Sequence, residues 1–291
     1  MRIAVLGSQG QLGRDLVPRL PGDVVALTRA DLDLGNPDTI APTIAKHRPG
    51  IVVNCAAYNF VDRAEDEPEA AFRVNAWGLR ELARACAAEN IRLVHFSTDY
   101  VFGLDAGRSG TAGGRPWLEG DAPGPVSVYG LSKLAGEYLV RSTCPNHLVI
   151  RTCGLYGVWG SGGKGGNFIE TMLRIAGQGK PLKVVDDQRC TPTYTADLAE
   201  RSVEWISGGK TGLVHMTSSG ECTWFELARE AIRLAGLETS ISPITTAEFG
   251  AKARRPAYSV LASERDRPLR HWREALAAYV LERQKRPANT P

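Results

Sequence analysis

Long hydrophobic runs are missing from this chain. No stretch approaches the ~18 apolar residues of a membrane span, and Met1-Arg2-Ile3-Ala4-Val5-Leu6-Gly7 lacks the longer apolar segment of a secretory leader. The expectation is a soluble, cytoplasmic protein with no membrane partner. Charge of one sign is also missing: 35 basic residues face 32 acidic ones, a formal +3 over 291 residues. That balance is too small and too dispersed for a nucleic-acid footprint, so no nucleic-acid partner is expected. Cysteine is sparse. The six, at 55, 86, 144, 153, 190 and 222, form no C-x-x-C pair, and a chain this large needs no disulfide framework, so reduced thiols are expected. None of His47, His95, His147, His215 or His271 stands at metal-ligand spacing from another His or Cys, and no metal is expected.

What is present is a core. With 43% hydrophobic residues the chain can fill one large domain or two closely packed ones. Short apolar runs bounded by turn residues alternate with helix-periodic stretches, the pattern of βαβ units on a parallel sheet. Strands are expected at 2–6, 24–27, 51–56, 91–97 and 147–151, with helices at 11–20, 37–47, 68–89, 128–141 and 168–178. Pro18 should shorten or kink the last turn of the first helix. Residues 103–125 are rich in Gly, Pro and Ser and read as a loop beside a site, with the 107–114 tip equally readable as a surface insertion. A second Gly-rich stretch covers 154–166. The polar tail from 282 to 291 reads as frayed, and Trp205, Trp224 and Trp272 as core.

The fold class is therefore α/β: a Rossmann-type doubly wound parallel sheet with a smaller, discontinuous C-terminal substrate domain. Residues 1–151, with part of about 189–215 returning to them, form the nucleotide-binding domain; 152–188 and 216–291 form the other.

Gly7-x-x-Gly10-x-x-Gly13 lies between the first strand and the first helix. One glycine allows a tight turn, one lets backbone approach a pyrophosphate, and one lets helix and strand pack closely. Two residues between successive glycines, in place of G-x-G-x-x-G, point to the short-chain dehydrogenase class. Gln9, Gln11 and Leu12 share this turn and are cofactor candidates with it. At the end of the second strand, Arg29 suits a 2′-phosphate, so NADPH is expected and NADH left open; a solvated arginine is an equal reading. Asp33 and Leu34 are placed at the adenine edge. Cys55, Ala56, Ala57 and Tyr58 follow the third strand, where small side chains permit close approach to a dinucleotide, although paired alanines also suit an ordinary core.

Tyr129 and Lys133 are four residues apart, so a helix projects both from one face. A phenol with a pKa near ~10 is a poor acid or base at neutral pH, and an ammonium beside it should favour its ionised form. Lys133 can also bind the nicotinamide ribose, and Thr98, ending the preceding strand, can share the substrate oxygen with Tyr129. Reduction then runs by hydride to a carbonyl carbon while Tyr129 protonates the oxygen. Y-x-x-x-K alone is a weak signal. Behind a glycine turn and a strand ending Ser97-Thr98 it becomes a strong one.

These residues resemble the dTDP-4-dehydrorhamnose reductase family over nearly the whole chain. The carrying segments are Gly7 to Gly13, Asn54-Cys55-Ala56-Ala57-Tyr58 with Val61-Asp62-Arg63-Ala64-Glu65, Ser97-Thr98-Asp99-Tyr100-Val101-Phe102, Tyr129-Gly130-Leu131-Ser132-Lys133, Asp187-Gln188 with Thr191-Pro192-Thr193, and Ala253-Arg254-Arg255-Pro256-Ala257-Tyr258. The resemblance implies that Thr98, Tyr129 and Lys133 are the catalytic set and that a nucleotide-linked 4-keto-6-deoxy sugar is reduced at C4. Thr98, Asp99, Val101, Phe102, Tyr129, Thr152, Cys153, Asn167 and Arg255 are the substrate candidates. Arg255 stays open between a diphosphate contact and a structural ion pair. The chain departs from the family around the sugar: Arg151-Thr152-Cys153-Gly154-Leu155-Tyr156 stands where Arg-Thr-Ser-Trp-Val-Tyr is usual, Asn59-Phe60 replaces Thr-Ala, and Cys190 replaces glycine. Reaction type is thus more firmly implied than the sugar. A non-catalytic nucleotide-binding regulatory subunit and a nucleotide-sugar epimerase or dehydratase stay open, as does a homodimer. Asp15 alone assigns no divalent ion.

Overall fold

Apolar runs of four to seven residues become the strands that carry the site. A computed structural model describes residues 1–104, 114–160 and 166–285. In it β1 (Arg2–Leu6), β2 (Asp23–Leu27), β3 (Ile51–Asn54), β4 (Arg92–Thr98) and β5 (His147–Thr152) join a sixth strand, Gly212–His215, in one sheet. The order is Gly212–His215, β5, β4, β3, β1, β2, and every pairing is parallel. Every residue of β3 and β4 is buried, as strands covered on both faces must be.

The covering helices are α1 (Gln11–Leu16), α2 (Ile40–His47), α3 (Val61–Ala64), α4 (Pro68–Phe72), α5 (Leu79–Ala88) and α6 (Val128–Thr143). Leu12 and Leu16 of α1 pack with Leu198 and Trp205 of the helix Thr195–Ser207 against Val5 and Val53 on one face. On the other, Ile40 and Ile44 of α2, Leu79 and Leu82 of α5 and Val140 of α6 close over Ala4, Leu6 and Val52. The doubly wound sheet expected from the sequence is thus present. β1 lies between β2 and β3, so the chain leaves β1 toward one edge and returns on the other side. Loops at the carboxyl ends of β1 and β3 diverge there and leave a crevice.

Element ends moved for local reasons. Pro18 has no N–H to donate, and α1 stops at Leu16 before a 3₁₀ turn at Val17–Arg19. The helix expected from 37 opens as a 3₁₀ turn at Pro37–Thr39, and the strand expected to 56 leaves the sheet after Asn54. The helix expected over 68–89 is helical from Pro68 to Ala88 but widens to a π-helical segment at Arg73–Gly78. The short α3 was not anticipated.

Farther along, Leu182–Val185 pairs in parallel with Ile241–Ile244. Helices Phe168–Ala176, Trp224–Leu234 and Trp272–Gln284 enclose a separate core of Ile169, Leu173, Leu227, Trp272 and Tyr279. Trp205 and Trp272 are buried, as expected of core residues, and Trp224 packs edge-on against Phe168. The tail expected to fray from 282 is still helical to Gln284. Residues 105–113, which hold most of the expected loop tip, 161–165 of the second Gly-rich stretch, and 286–291 lie outside the described residues. Among the described residues no helix is long and apolar enough to cross a membrane.

Candidate active site

A cleft of about 1260 Å³ opens at the carboxyl ends of β1 to β5. One wall is backbone. Gly7 adopts a positive φ of 70°, and a Cβ there would come within 2.8 Å of Ala56 N. Gly10 N–H closes the turn on Gly7 O at 2.9 Å. A Cβ on Gly13 would collide with Gly7 O and the Ser8 backbone, so this glycine is a packing contact. Gly7, Gln9, Gly10, Gln11 and Leu12 line the cleft, whereas Gly13, expected to bind cofactor, faces the turn behind it.

Arg29, Asp33 and Leu34 line the same side past β2. The Arg29 side chain is 84% exposed and pairs with Asp33, Nε to Oδ2 at 3.1 Å. Opposite them Cys55, Ala56, Ala57 and Tyr58 form the rim beyond β3. Burial pushes the Cys55 thiol up to about 12, so it is neutral. Asn75, not singled out from the sequence, fixes this rim: Oδ1 accepts from Tyr58 N–H at 2.9 Å, while Nδ2 donates to Tyr58 O at 2.9 Å and Ser132 Oγ at 3.0 Å. Asn75 sits in the π-helical segment, whose widened turn breaks the 3.6-residue period that would have revealed an inward side chain. Arg14, Arg63 and Arg73 also line the cleft and were missed, because lone arginines on polar helix faces carry no spacing signal.

The third wall is made by side chains. Ser127 caps α6, its Oγ accepting from Gly130 N–H at 3.2 Å, and Tyr129 and Lys133 project from that helix beside Thr98 at the end of β4. Tyr129 and Thr98 both line the cleft here. Thr98 Oγ1 donates to Asp99 Oδ1 at 3.0 Å and accepts from Tyr100 N–H at 3.2 Å. Burial pushes the Tyr129 phenol up to about 12; the polar Thr98 side chain opposes this and the Asp99 carboxylate adds to it. Burial pushes Lys133 down to about 8 against the pull of Glu137. The expectation that Lys133 favours ionised Tyr129 is corrected: Nζ donates to Phe96 O at 2.7 Å and lies 3.1 Å from His95 Nε2, and desolvation governs the phenol. Tyr129 is thus held protonated at neutral pH.

Thr152, Cys153 and Asn167 complete the cleft. Asn167 Nδ2 donates to Gln11 Oε1 at 3.1 Å and Gly157 O at 2.9 Å, tying this side to the glycine turn. Other substrate candidates are not on the wall. Asp99 is buried behind Thr98, with the Cys153 thiol donating to its Oδ2 at 3.0 Å. Val101 and Phe102, both 0% exposed, belong to a core cluster with Trp117, Leu134 and Tyr258, and Phe102 stacks on Trp117 at 4.4 Å. Arg255 forks onto Asp62 with Nη1 and Nη2 at 3.1 and 2.7 Å, away from the wall. Of its two readings, the structure gives the ion pair.

The chain matches the model of the RmlD substrate binding domain over residues 1–285. It is 39% identical to the spore coat polysaccharide biosynthesis protein SpsK of Bacillus subtilis, covering 97% of this chain and 98% of that one. It is 41% identical to a dTDP-4-keto-6-deoxy-D-glucose reductase of Streptomyces niveus, covering 94% and 95%. Among solved structures, a dTDP-4-dehydrorhamnose reductase of Bacillus anthracis in complex with NADP superposes with a TM-score of 0.89 at 34% identity, over 97% of this chain and 99% of that one.

Proposed function

The chain belongs to the RmlD family of dTDP-4-dehydrorhamnose reductases, and from that premise we propose that it reduces the 4-keto group of a nucleotide-linked 6-deoxy sugar with NADPH. The substrate is dTDP-4-dehydro-L-rhamnose or a close analogue. The cradle suits the dinucleotide: without a Cβ on Gly7 or Gly13 the turn packs closely on Ala56 and Ser8, and Gly7, Gln9, Gly10, Gln11 and Leu12 line the cleft where α1 begins, the position that favours a pyrophosphate. Gly7 to Leu12 hold the pyrophosphate, Arg29 the 2′-phosphate, Asp33 and Leu34 the adenine edge, and Lys133 the nicotinamide ribose. The bound cofactor supplies the hydride.

The observation that carries the reading is the placing of Thr98, the protonated Tyr129 phenol and Lys133 together on the wall of the glycine-turn cleft. Both hydroxyls converge where a substrate carbonyl oxygen would sit, and Tyr129 gives that oxygen its proton as negative charge develops. At about 12 the phenol keeps its proton at neutral pH, and the developing alkoxide, a stronger base than the phenolate, draws it off. Dehydration would call for an added acid–base pair beside Thr98. Asp99 does not supply it: it is a single carboxyl, buried behind Thr98 and absent from the cleft wall. Six free thiols support a reducing, cytoplasmic setting.

The test is direct. Purified protein is mixed with NADPH and dTDP-4-keto-6-deoxy-L-mannose, and loss of nicotinamide absorbance is followed. Stoichiometric oxidation is expected. Cofactor binding with no turnover would replace the reductase by the regulatory-subunit reading.

A further inference from the structure

Lys133 Nζ is buried, and its partners among the described residues are Phe96 O at 2.7 Å and His95 Nε2 at 3.1 Å. His95 is 1% exposed, and its Nδ1 lies 3.1 Å from Asn54 Nδ2. The direction of this buried chain is set at its far end. Ala56 N–H donates to Asn54 Oδ1 at 3.0 Å, which turns the amide NH₂ toward His95. Nδ1 of His95 must then accept. A neutral imidazole has one N–H, so the hydrogen sits on Nε2 and points at Nζ. An ammonium has three donors and no lone pair; an amine can receive the Nε2–H and still donate to Phe96 O.

We infer that His95 is a positioning residue for Lys133: in alkaline solution it donates to Nζ, favours the neutral amine over the ammonium, and so couples dinucleotide binding to uptake of one solvent proton. The coupling rests on the reductase reading only in taking NADP(H) as the ligand. Ribose hydroxyls and phosphates are acceptors that an ammonium serves better than an amine, so Lys133 gains a proton from solvent as it turns to them. Nothing is oxidised; –NH₂ and H⁺ give –NH₃⁺.

The surrounding groups leave this titration to Lys133. Glu137 on α6 is committed to Arg151 of β5 at 2.7 Å. Tyr129 on α6 and Cys55 beyond β3 are each pushed up by burial to about 12, and Asp99 beyond β4 is pushed up by burial and faces Thr98. His95 is held well below its usual range by burial and by Lys133 itself. Lys133 is pushed down to about 8.

Two measurements on the full chain test the coupling. Calorimetric titration with NADP⁺ in buffers of different protonation enthalpy should show about one proton taken up per site at pH 9, falling toward zero below pH 7, so affinity declines as pH rises above 8. In His95→Asn, whose side chain can turn an oxygen to Nζ, uptake at pH 9 should drop at least about threefold while binding persists. Nitrogen-15 NMR of the cofactor-free wild type at pH 9 should find the His95 proton on Nε2, a readout needing neither variant nor ligand. A proton on Nδ1 at that pH, or binding without uptake at pH 9, overturns the inference. No NADP⁺ binding at all would remove the reductase reading and the coupling with it, whatever the tautomer.

Discussion

The glycine-turn wall and the Tyr129 wall face one another across one cleft, yet they are built by opposite means. The first is backbone against backbone: Gly7 and Gly13 matter because a single added carbon has nowhere to go. The second is side chains on a buried polar foundation. Behind Tyr129 and Lys133, Glu137 accepts from Ser97 Oγ and, through both carboxylate oxygens, from Arg151, whose Nη1 lies 3.4 Å from His215 Nε2 and whose guanidinium covers the Phe102 ring at 5.0 Å. One wall is limited by volume and the other by where charges and protons reside. Their failures should therefore differ in kind.

The largest effect is expected at the foundation. Glu137→Ala leaves the Arg151 charge buried without its carboxylate, and breaking such a pair costs about 3–5 kcal/mol. Urea unfolding measures it. A loss below ~1 kcal/mol would mean that the pair is not what holds the second wall in place.

Next comes Tyr129→Phe, which removes the proton donor and leaves the ring. Turnover should fall at least ~100-fold, equal to about 2.7 kcal/mol of transition-state stabilisation, with dinucleotide affinity unchanged. Turnover within a few-fold of wild type would break the contrast, since the phenol would then be packing and not chemistry.

Gly13→Ala should show the reverse pattern. Its Cβ drives into Gly7 O and the Ser8 backbone, so the turn must shift, at a cost of about 1–3 kcal/mol, and dinucleotide affinity should fall about tenfold. Turnover at saturating cofactor should change little. A variant that binds normally would show the turn to be softer than its contacts imply.

The same contrast explains what the sequence made legible. Gly7 to Gly13, Thr98, Tyr129 and Lys133 could be read because their geometry is local: a turn between a strand and a helix, a strand end, and a spacing of four on one helix. The parallel sheet followed from apolar runs alternating with helical periods. Val101 and Phe102 misled because neighbours of Thr98 in sequence need not share its surface; the 3₁₀ turn at Asp99–Val101 swings them into the core beside Trp117 and Tyr258. Asn75 and His95 went unread as site residues for a different reason. Their roles depend on partners at Tyr58, Ser132, Asn54 and Lys133, and no local pattern announces a hydrogen bond across 17 to 57 positions.

The smallest effect is expected at the rim, where neither volume nor burial operates. Arg29 is 84% exposed, and its pairing with Asp33 is an exposed ion pair of the kind that contributes ~0–1 kcal/mol. A 2′-phosphate would compete with Asp33 for that guanidinium, so only part of the attraction reaches the ligand. Asp33 is anchored, its Oδ1 accepting from Gly35 N–H at 2.8 Å, and it stays in place when Arg29 is removed. Arg29→Ala therefore withdraws a favourable charge and leaves an unfavourable one. NADPH should bind about three- to fivefold more weakly and NADH within twofold of wild type, with the gap closing at high salt as screening removes both terms. Equal losses for the two cofactors would take Arg29 out of the 2′-phosphate contact and turn attention to Arg73, which lines the same cleft without a carboxylate partner among the described residues.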